Sequence, residues 1–175
     1  MSILIKLSIY IAVSVLAFGC QSKVPDAMNK LTMKPATTYL YLLRDTPFFI
    51  GLSDQQLKFV IDNSMEYEVE KGGVISICSE EVEDEKSYWI LLDGKWGLNY
   101  QDTIYPSDHG EAGKWYSPFF APKKDCRLIM LEHGYVMKLS ENSLTEMLNK
   151  GFNLHSQLDL GKSYYQSFTG SVTEF

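Results

Sequence analysis

The sequence predicts a mainly β domain, a sandwich or barrel of short strands with flanking α-helices. Short runs rich in β-branched and aromatic residues recur between the turn signals Gly72-Gly73, Asp93-Gly94 and His133-Gly134. Apolar residues fall at helical spacing on either side of them, at Leu40 to Leu43, Leu57 to Ile61 and Leu144 to Leu148.

The first helix spans Ala36 to Thr46, with Tyr39, Leu40, Leu42 and Leu43 in a helical pattern, and Pro47 stops it. Ser53, with Gln56 three residues on, makes a capping box ahead of Leu57, Val60 and Ile61, so a second short helix begins there. From Glu66 the texture changes: Tyr67 and Val69 alternate with acids, Gly72-Gly73 turns the chain, and Val74 to Cys78 is β-branched. Strands follow at Tyr88 to Leu92, at Trp96 to Tyr100 after the Asp93-Gly94 hairpin signal, at Arg127 to Leu131 and at Tyr135 to Leu139. Ser140 opens a helix carrying Leu144, Met147 and Leu148, and Phe152 to about Phe168 holds another. Gln21 to about Pro35, with two prolines and scattered polar residues, reads as a linker, leaving a domain of residues 36–175.

The N-terminus carries an address. Lys6 precedes an apolar run from Leu7 to Phe18, and Gly19 stands directly before Cys20, the layout of a secretory signal. Its end, Leu16-Ala17-Phe18-Gly19-Cys20, resembles the lipobox of bacterial lipoproteins. That resemblance implies a signal peptide of residues 1–19, cleavage before Cys20, lipid on that cysteine, and a linker of residues 20–35. Stable anchoring takes more than one acyl chain, which the lipoprotein modification places on a single cysteine. The expected location is the cell envelope, at the outer membrane facing the periplasm in a Gram-negative cell, since Gln21 rather than an aspartate follows the cysteine.

Composition excludes some classes. Removing the signal takes away one lysine and no acid, leaving 15 basic against 22 acidic residues and a net charge of −7. Nucleic acid, which selects basic faces, is not an expected partner. About 155 residues remain, enough for one domain with its own core. Outside the cytoplasm, the remaining pair Cys78 and Cys126 suits either a disulfide or two small buried apolar side chains.

Three segments together carry a further resemblance: Pro47-Phe48-Phe49-Ile50-Gly51-Leu52-Ser53-Asp54-Gln55-Gln56-Leu57, then Glu70-Lys71-Gly72-Gly73-Val74-Ile75, then Tyr88-Trp89-Ile90-Leu91-Leu92-Asp93-Gly94-Lys95. In order and spacing they resemble the opening half of the cyclic-nucleotide-binding domain family. The resemblance implies an eight-stranded β-roll, a double-stranded jelly roll, with N-terminal and C-terminal helices. It also implies a ligand cassette running from a Gly-Glu pair to an arginine. Gly110-Glu111 matches the pair, with Glu111 as acceptor for a ribose hydroxyl, and the arginine position falls on Lys124. Ala112-Gly113-Lys114-Trp115 departs from the family's apolar continuation, and lysine lacks the planar fork that grips a phosphate. In the family's roll the second strand lies beside the seventh, which implies a disulfide between Cys78 and Cys126.

Other segments bear on partners. Glu80-Glu81-Val82-Glu83-Asp84-Glu85 holds five carboxylates in six residues, without the spaced ligands and central glycine of a calcium loop. It reads as a solvated hairpin tip, with Glu81, Glu83, Asp84 and Glu85 suited to a basic partner. Trp115 to Phe120 packs four aromatics into six residues, confined by prolines and a glycine to a loop. Trp115, Tyr116, Phe119 and Phe120 would either cover the mouth of the roll as core or form a partner-binding patch. His109, His133 and His155 share no metal-ligand spacing, and no nucleophile elbow or zinc-binding helix motif occurs. The expectation is a lipid-anchored, non-enzymatic module without cofactor or metal that binds another protein. An immunity protein or antagonist of a toxin acting in the envelope, or an accessory subunit of an envelope complex, fits that description. The alternative is a sensor that takes a cyclic nucleotide or another small anion through Glu111 and Lys124.

Overall fold

The computed structural model describes residues 28–31, 37–78, 86–120 and 126–169. Cys20, the acidic segment 80–85 and Lys124 lie outside the described residues. Two antiparallel sheets form a roll. The chain enters it through strand β1 (Met28–Leu31), helix α1 (Thr37–Asp45), a 3-10 turn at Pro47–Phe49 and helix α2 (Asp54–Asp62). Strands β2 (Ser64–Val69), β3 (Val74–Ile77), β4 (Ser87–Asp93), β5 (Lys95–Tyr100), β6 (Thr103–Asp108) and β7 (Trp115–Tyr116) follow. After a 3-10 turn at Pro118–Phe120 come β8 (Cys126–Met130), β9 (Gly134–Ser140), α3 (Glu141–Asn149) and α4 (His155–Thr169). One sheet has the order β1-β2-β9-β4-β7 and the other β3-β8-β5-β6. Strands β2 to β9 are the eight of the expected roll.

The capping box is present as read: the Ser53 side chain accepts the Gln56 N–H, and the Gln56 side chain accepts the Ser53 N–H. Ser140 caps α3 in the same way, accepting the Ser143 N–H at 3.0 Å. The run Tyr88 to Leu92 is apolar throughout because β4 is covered on both faces. Trp89 and Leu91 turn into the roll with Val69, Trp96, Leu98, Leu128 and Val136. Ile90 turns the other way, joining Phe48, Phe49, Leu57, Met137, Leu144 and Met147 in a second core beneath the helices. Glycine is required at Gly134, where a Cβ would stand 2.3 Å from the Asp93 carbonyl oxygen.

Three strands depart from the sequence expectation. Residues 28–31, inside the expected linker, form β1 on the edge of β2, with Met28 opposite Val69 and Leu31 opposite Glu66. Without it β2 would end the sheet and expose a row of backbone donors and acceptors, which is what an edge strand recruits a neighbour to satisfy. Strand β6 contains Pro106, which a ladder tolerates at the edge position that β6 holds. The segment from Trp115, expected to be loop, starts with the two-residue strand β7 paired to β4, Ile90 opposite Trp115 and Trp89 opposite Tyr116.

Candidate functional site

The Gly110-Glu111 pair sits in the turn that leaves β6. Asp108 Oδ1 accepts the Gly110 N–H at 2.7 Å, and Glu111 Oε2 accepts the Asp108 N–H at 3.1 Å. Both carboxylates thus cap the turn's own backbone, and Glu111 is exposed. Beyond it, Gly113 is held closely on both sides: a Cβ there would meet Tyr164 Cε1 at 2.6 Å and Ser107 Oγ at 2.8 Å. Its carbonyl accepts the Trp96 indole N–H at 2.8 Å and the Tyr165 hydroxyl at 3.1 Å. Lys114, the departure from an apolar continuation, is only 5% exposed, and burial pushes its ammonium below the usual lysine value.

Helix α4 lies across this cassette. Tyr164 donates its hydroxyl to the Pro106 carbonyl at 2.7 Å. The ring of Tyr165 stands 5.7 Å from Tyr116 and 6.5 Å from Trp115, in edge-to-face geometry that suits aromatic quadrupoles. The Trp115 indole N–H donates to the Gln157 carbonyl at 2.8 Å. Gly161 is what lets the helix come so near, since a Cβ at that position would fall 2.1 Å from Trp115 Nε1. The Tyr116 hydroxyl rests 3.2 Å from Cys78 Sγ, against the disulfide that joins Cys78 to Cys126.

These placements correct the reading of Trp115 and Tyr116 as a partner surface. They are 1% and 0% exposed, one in each core, because a β strand turns successive side chains to opposite faces and both faces of β7 are covered. Phe120 is half-buried against Tyr88 and Trp115, with Lys162 Nζ 5.8 Å from its ring. Phe119 remains exposed, with Lys86 Nζ 5.3 Å from its ring. The sequence reading missed Trp96, Tyr164 and Tyr165 as members of the site. Their signal was faint: a Tyr-Tyr pair three residues after Gly161, on a helix whose docking side the spacing leaves undefined.

Burial raises the Tyr165 and Tyr116 phenols well above the ordinary value of 10.0. The neutral phenol is therefore favoured by the fold; that contribution is fully present below pH 10 and is lost as pH climbs beyond it. In a spectrophotometric titration of the 11 tyrosines, Tyr116 and Tyr165 are expected to ionise only as the chain unfolds in alkali. A single midpoint near 10 for every tyrosine, with the fold intact by circular dichroism, would show these rings to be in water.

Among the described residues no group of three or more His, Cys, Asp and Glu side chains could hold a metal ion, and no helix is long and apolar enough to cross a membrane. No protein-family model matches the sequence, and no curated protein matches it. Solved structures do. The cAMP-bound regulatory subunit PfPKA-R superposes with a TM-score of 0.55 at 16% identity, over 78% of this chain and 48% of that one. A PKAR CBD2 domain bound to Sp-2Cl-cAMPS gives a TM-score of 0.55 at 14% identity, covering 78% of this chain and 92% of that one. The sensor domain of the transcriptional regulator DNR from Pseudomonas aeruginosa gives 0.52 at 16% identity, covering 77% and 99%. The chain has the fold of the cyclic-nucleotide-binding domains.

Proposed function

We infer that this chain is a non-enzymatic binding module whose roll is closed to cyclic nucleotides and which works on a protein partner, tethered to a membrane through lipid on Cys20. The observation that carries the reading is the double use of the Gly113 carbonyl by Trp96 and Tyr165. A cyclic nucleotide needs backbone donors and a fixed cation for its phosphate and an acceptor for its ribose hydroxyl. Here the neighbouring acceptor, Glu111, already serves a backbone N–H, and the aromatic side chains of β5, β7 and α4 fill the adjoining interior. Folds of this kind serve many sites. In one relative at 19% identity and TM-score 0.52, covering 74% of this chain and 48% of that one, a regulatory subunit of a cAMP-independent protein kinase A from Trypanosoma cruzi is bound to guanosine.

Thermal melting tests this. Cyclic AMP, cyclic GMP and guanosine at millimolar concentration are expected to leave the melting temperature of the full chain unchanged, and Glu111→Ala to behave in the same way. A ligand at a hundredfold excess over its dissociation constant stabilises by about 2.7 kcal/mol, so a clear rise abolished in Glu111→Ala would restore the sensor reading. Mass spectrometry of the processed N-terminus tests the tether: an acylated chain starting at Cys20 is expected, and an uncleaved one would refute it.

A further inference from the structure

The outer face of the four-stranded sheet carries aliphatic side chains where an antiparallel sheet that meets water ordinarily carries polar ones. Trp96 and Leu98 of β5 and Leu128 and Met130 of β8 lie inside the roll, so strand alternation turns Gly97, Asn99, Arg127 and Ile129 outward. Cross-strand register extends that face from β3 to β6 in two rows, Val74, Ile129, Gly97 and Pro106 in one and Ile77, Arg127, Asn99 and Ile104 in the other. Leu131, whose N–H is donated to the Lys95 carbonyl, closes with Ile104 over Gly97, where a Cβ would stand 2.8 Å from Ile104 Cγ2 and 3.1 Å from Leu131 Cδ1. None of Val74, Ile77, Ile104, Ile129 and Leu131 belongs to either core, and Ile77 and Ile104 are 51% and 46% exposed.

The charges among these aliphatics are open cations. Among the described residues neither the Lys95 nor the Arg127 side chain has a hydrogen-bond or ion-pair partner. Asp108, cross-strand from Lys95, accepts the Gly110 N–H instead. Asp102 lies past the second row, in the β5–β6 turn. The chain as a whole carries a net charge of −6, so this face departs from it in sign as well as in polarity.

Size argues against a second copy as the occupant. Four strands at about 4.8 Å and five residues at about 3.3 Å outline roughly 300 Å², whereas each partner in a stable complex buries about 800 Å². What covers so small a face has to be held against it by another attachment, and the lipid inferred at Cys20 supplies one. Strand β1 starts at Met28, eight residues after Cys20, a stretch that spans at most about 29 Å. Met28 stands opposite Val69, from which the Gly72-Gly73 turn leads within five residues to Val74 on this face. The helices on the opposite side show water Asp54, Lys58, Asp62 and Glu146, and the exposed Leu42 and Ile50 lie there among Arg44, Asp45 and Asp54.

We propose that the outer face of the four-stranded sheet seats on the phospholipid surface to which Cys20 tethers the chain. Val74, Ile77, Ile104, Ile129 and Leu131 enter the boundary of the acyl chains, and Lys95 and Arg127 reach the lipid phosphates. Exposed apolar patches rimmed by polar residues mark such contacts, and long cationic side chains lay their stems on the apolar surface while their heads stay with the headgroups. This seating rests on the tether inferred above and adds the orientation of the domain: sheet to the lipid, helices to water.

Spin labels on the lipidated full chain, in vesicles of phosphatidylethanolamine and phosphatidylglycerol, test the seating. One label replaces Asn99 in the middle of the face (Asn99→Cys) and another replaces Asp62 on α2 (Asp62→Cys). Collisions with a water-soluble nickel chelate are expected to be severalfold rarer at position 99 than at position 62. Adding Ile77→Asp and Ile104→Asp should return the label at 99 to water and leave that at 62 unchanged. Flotation with the vesicles separates the tether from the face. A chain that fails to float refutes the tether and the seating with it; a chain that floats with the label at 99 as open to the chelate as that at 62, or with 62 shielded instead, overturns the seating alone. The comparison of the two positions is made on the unaltered aliphatic face, so it decides the matter even where the aspartate variant fails to fold.

Discussion

Replacing Trp115 with alanine is expected to lower folding stability by about 3 to 5 kcal/mol, the usual range for emptying a large aromatic site in a core. The indole is 1% exposed and packs with Tyr88, Phe120 and Tyr165, and its N–H is donated to Gln157. The contact has a second side. Gly161→Ala, which in an exposed helix would help by about 1 kcal/mol, is expected here to destabilise, because the added methyl has no room beside Trp115 Nε1 and α4 must move off the cassette. Urea unfolding measures both. A loss under 1 kcal/mol for Trp115→Ala, or a gain for Gly161→Ala, would mean that α4 does not rest on the indole.

Loss of the disulfide is the second large effect. Cys78 and Cys126 are 48 residues apart, and the chain-entropy model gives a cross-link of that span about 4 kcal/mol. The double variant Cys78→Ser, Cys126→Ser should therefore unfold at a markedly lower urea concentration than the oxidised protein. Reductant should bring wild type down to nearly the same midpoint and leave the variant unmoved. The loss extends beyond the cross-link, since Tyr116 sets its hydroxyl against these sulfurs. Identical midpoints for wild type and variant in the absence of reductant would contradict the account.

The parts of the fold legible in the sequence were those written in local chemistry. Ser53 and Gln56 announce α2 because a capping box satisfies donors within four residues. Gly94, with φ of 89°, marks the β4–β5 turn because that backbone conformation favours glycine. The resemblance placed Cys78 and Cys126 on neighbouring strands, and the structure pairs β3 with β8 there. Hidden features depend on distant partners. Two residues of β7 are too few to show alternation, so the opposite orientations of Trp115 and Tyr116 follow only from their register with Ile90 and Trp89. The turn at Gln101-Asp102 carries no glycine, so nothing local ends β5 or begins β6. Glu111 matched a pattern of identity, but its destination was settled by Asp108 three residues earlier, whose N–H it accepts.

Closure of the cassette is the central claim, and calorimetric titration of cyclic AMP into the full chain tests it most directly. The arrangement of Trp96, Tyr165 and Glu111 about Gly113 predicts no saturable heat up to millimolar nucleotide. A one-to-one isotherm with a micromolar dissociation constant, about −8.2 kcal/mol of binding free energy, would show that α4 yields its place to the ligand and would contradict the claim.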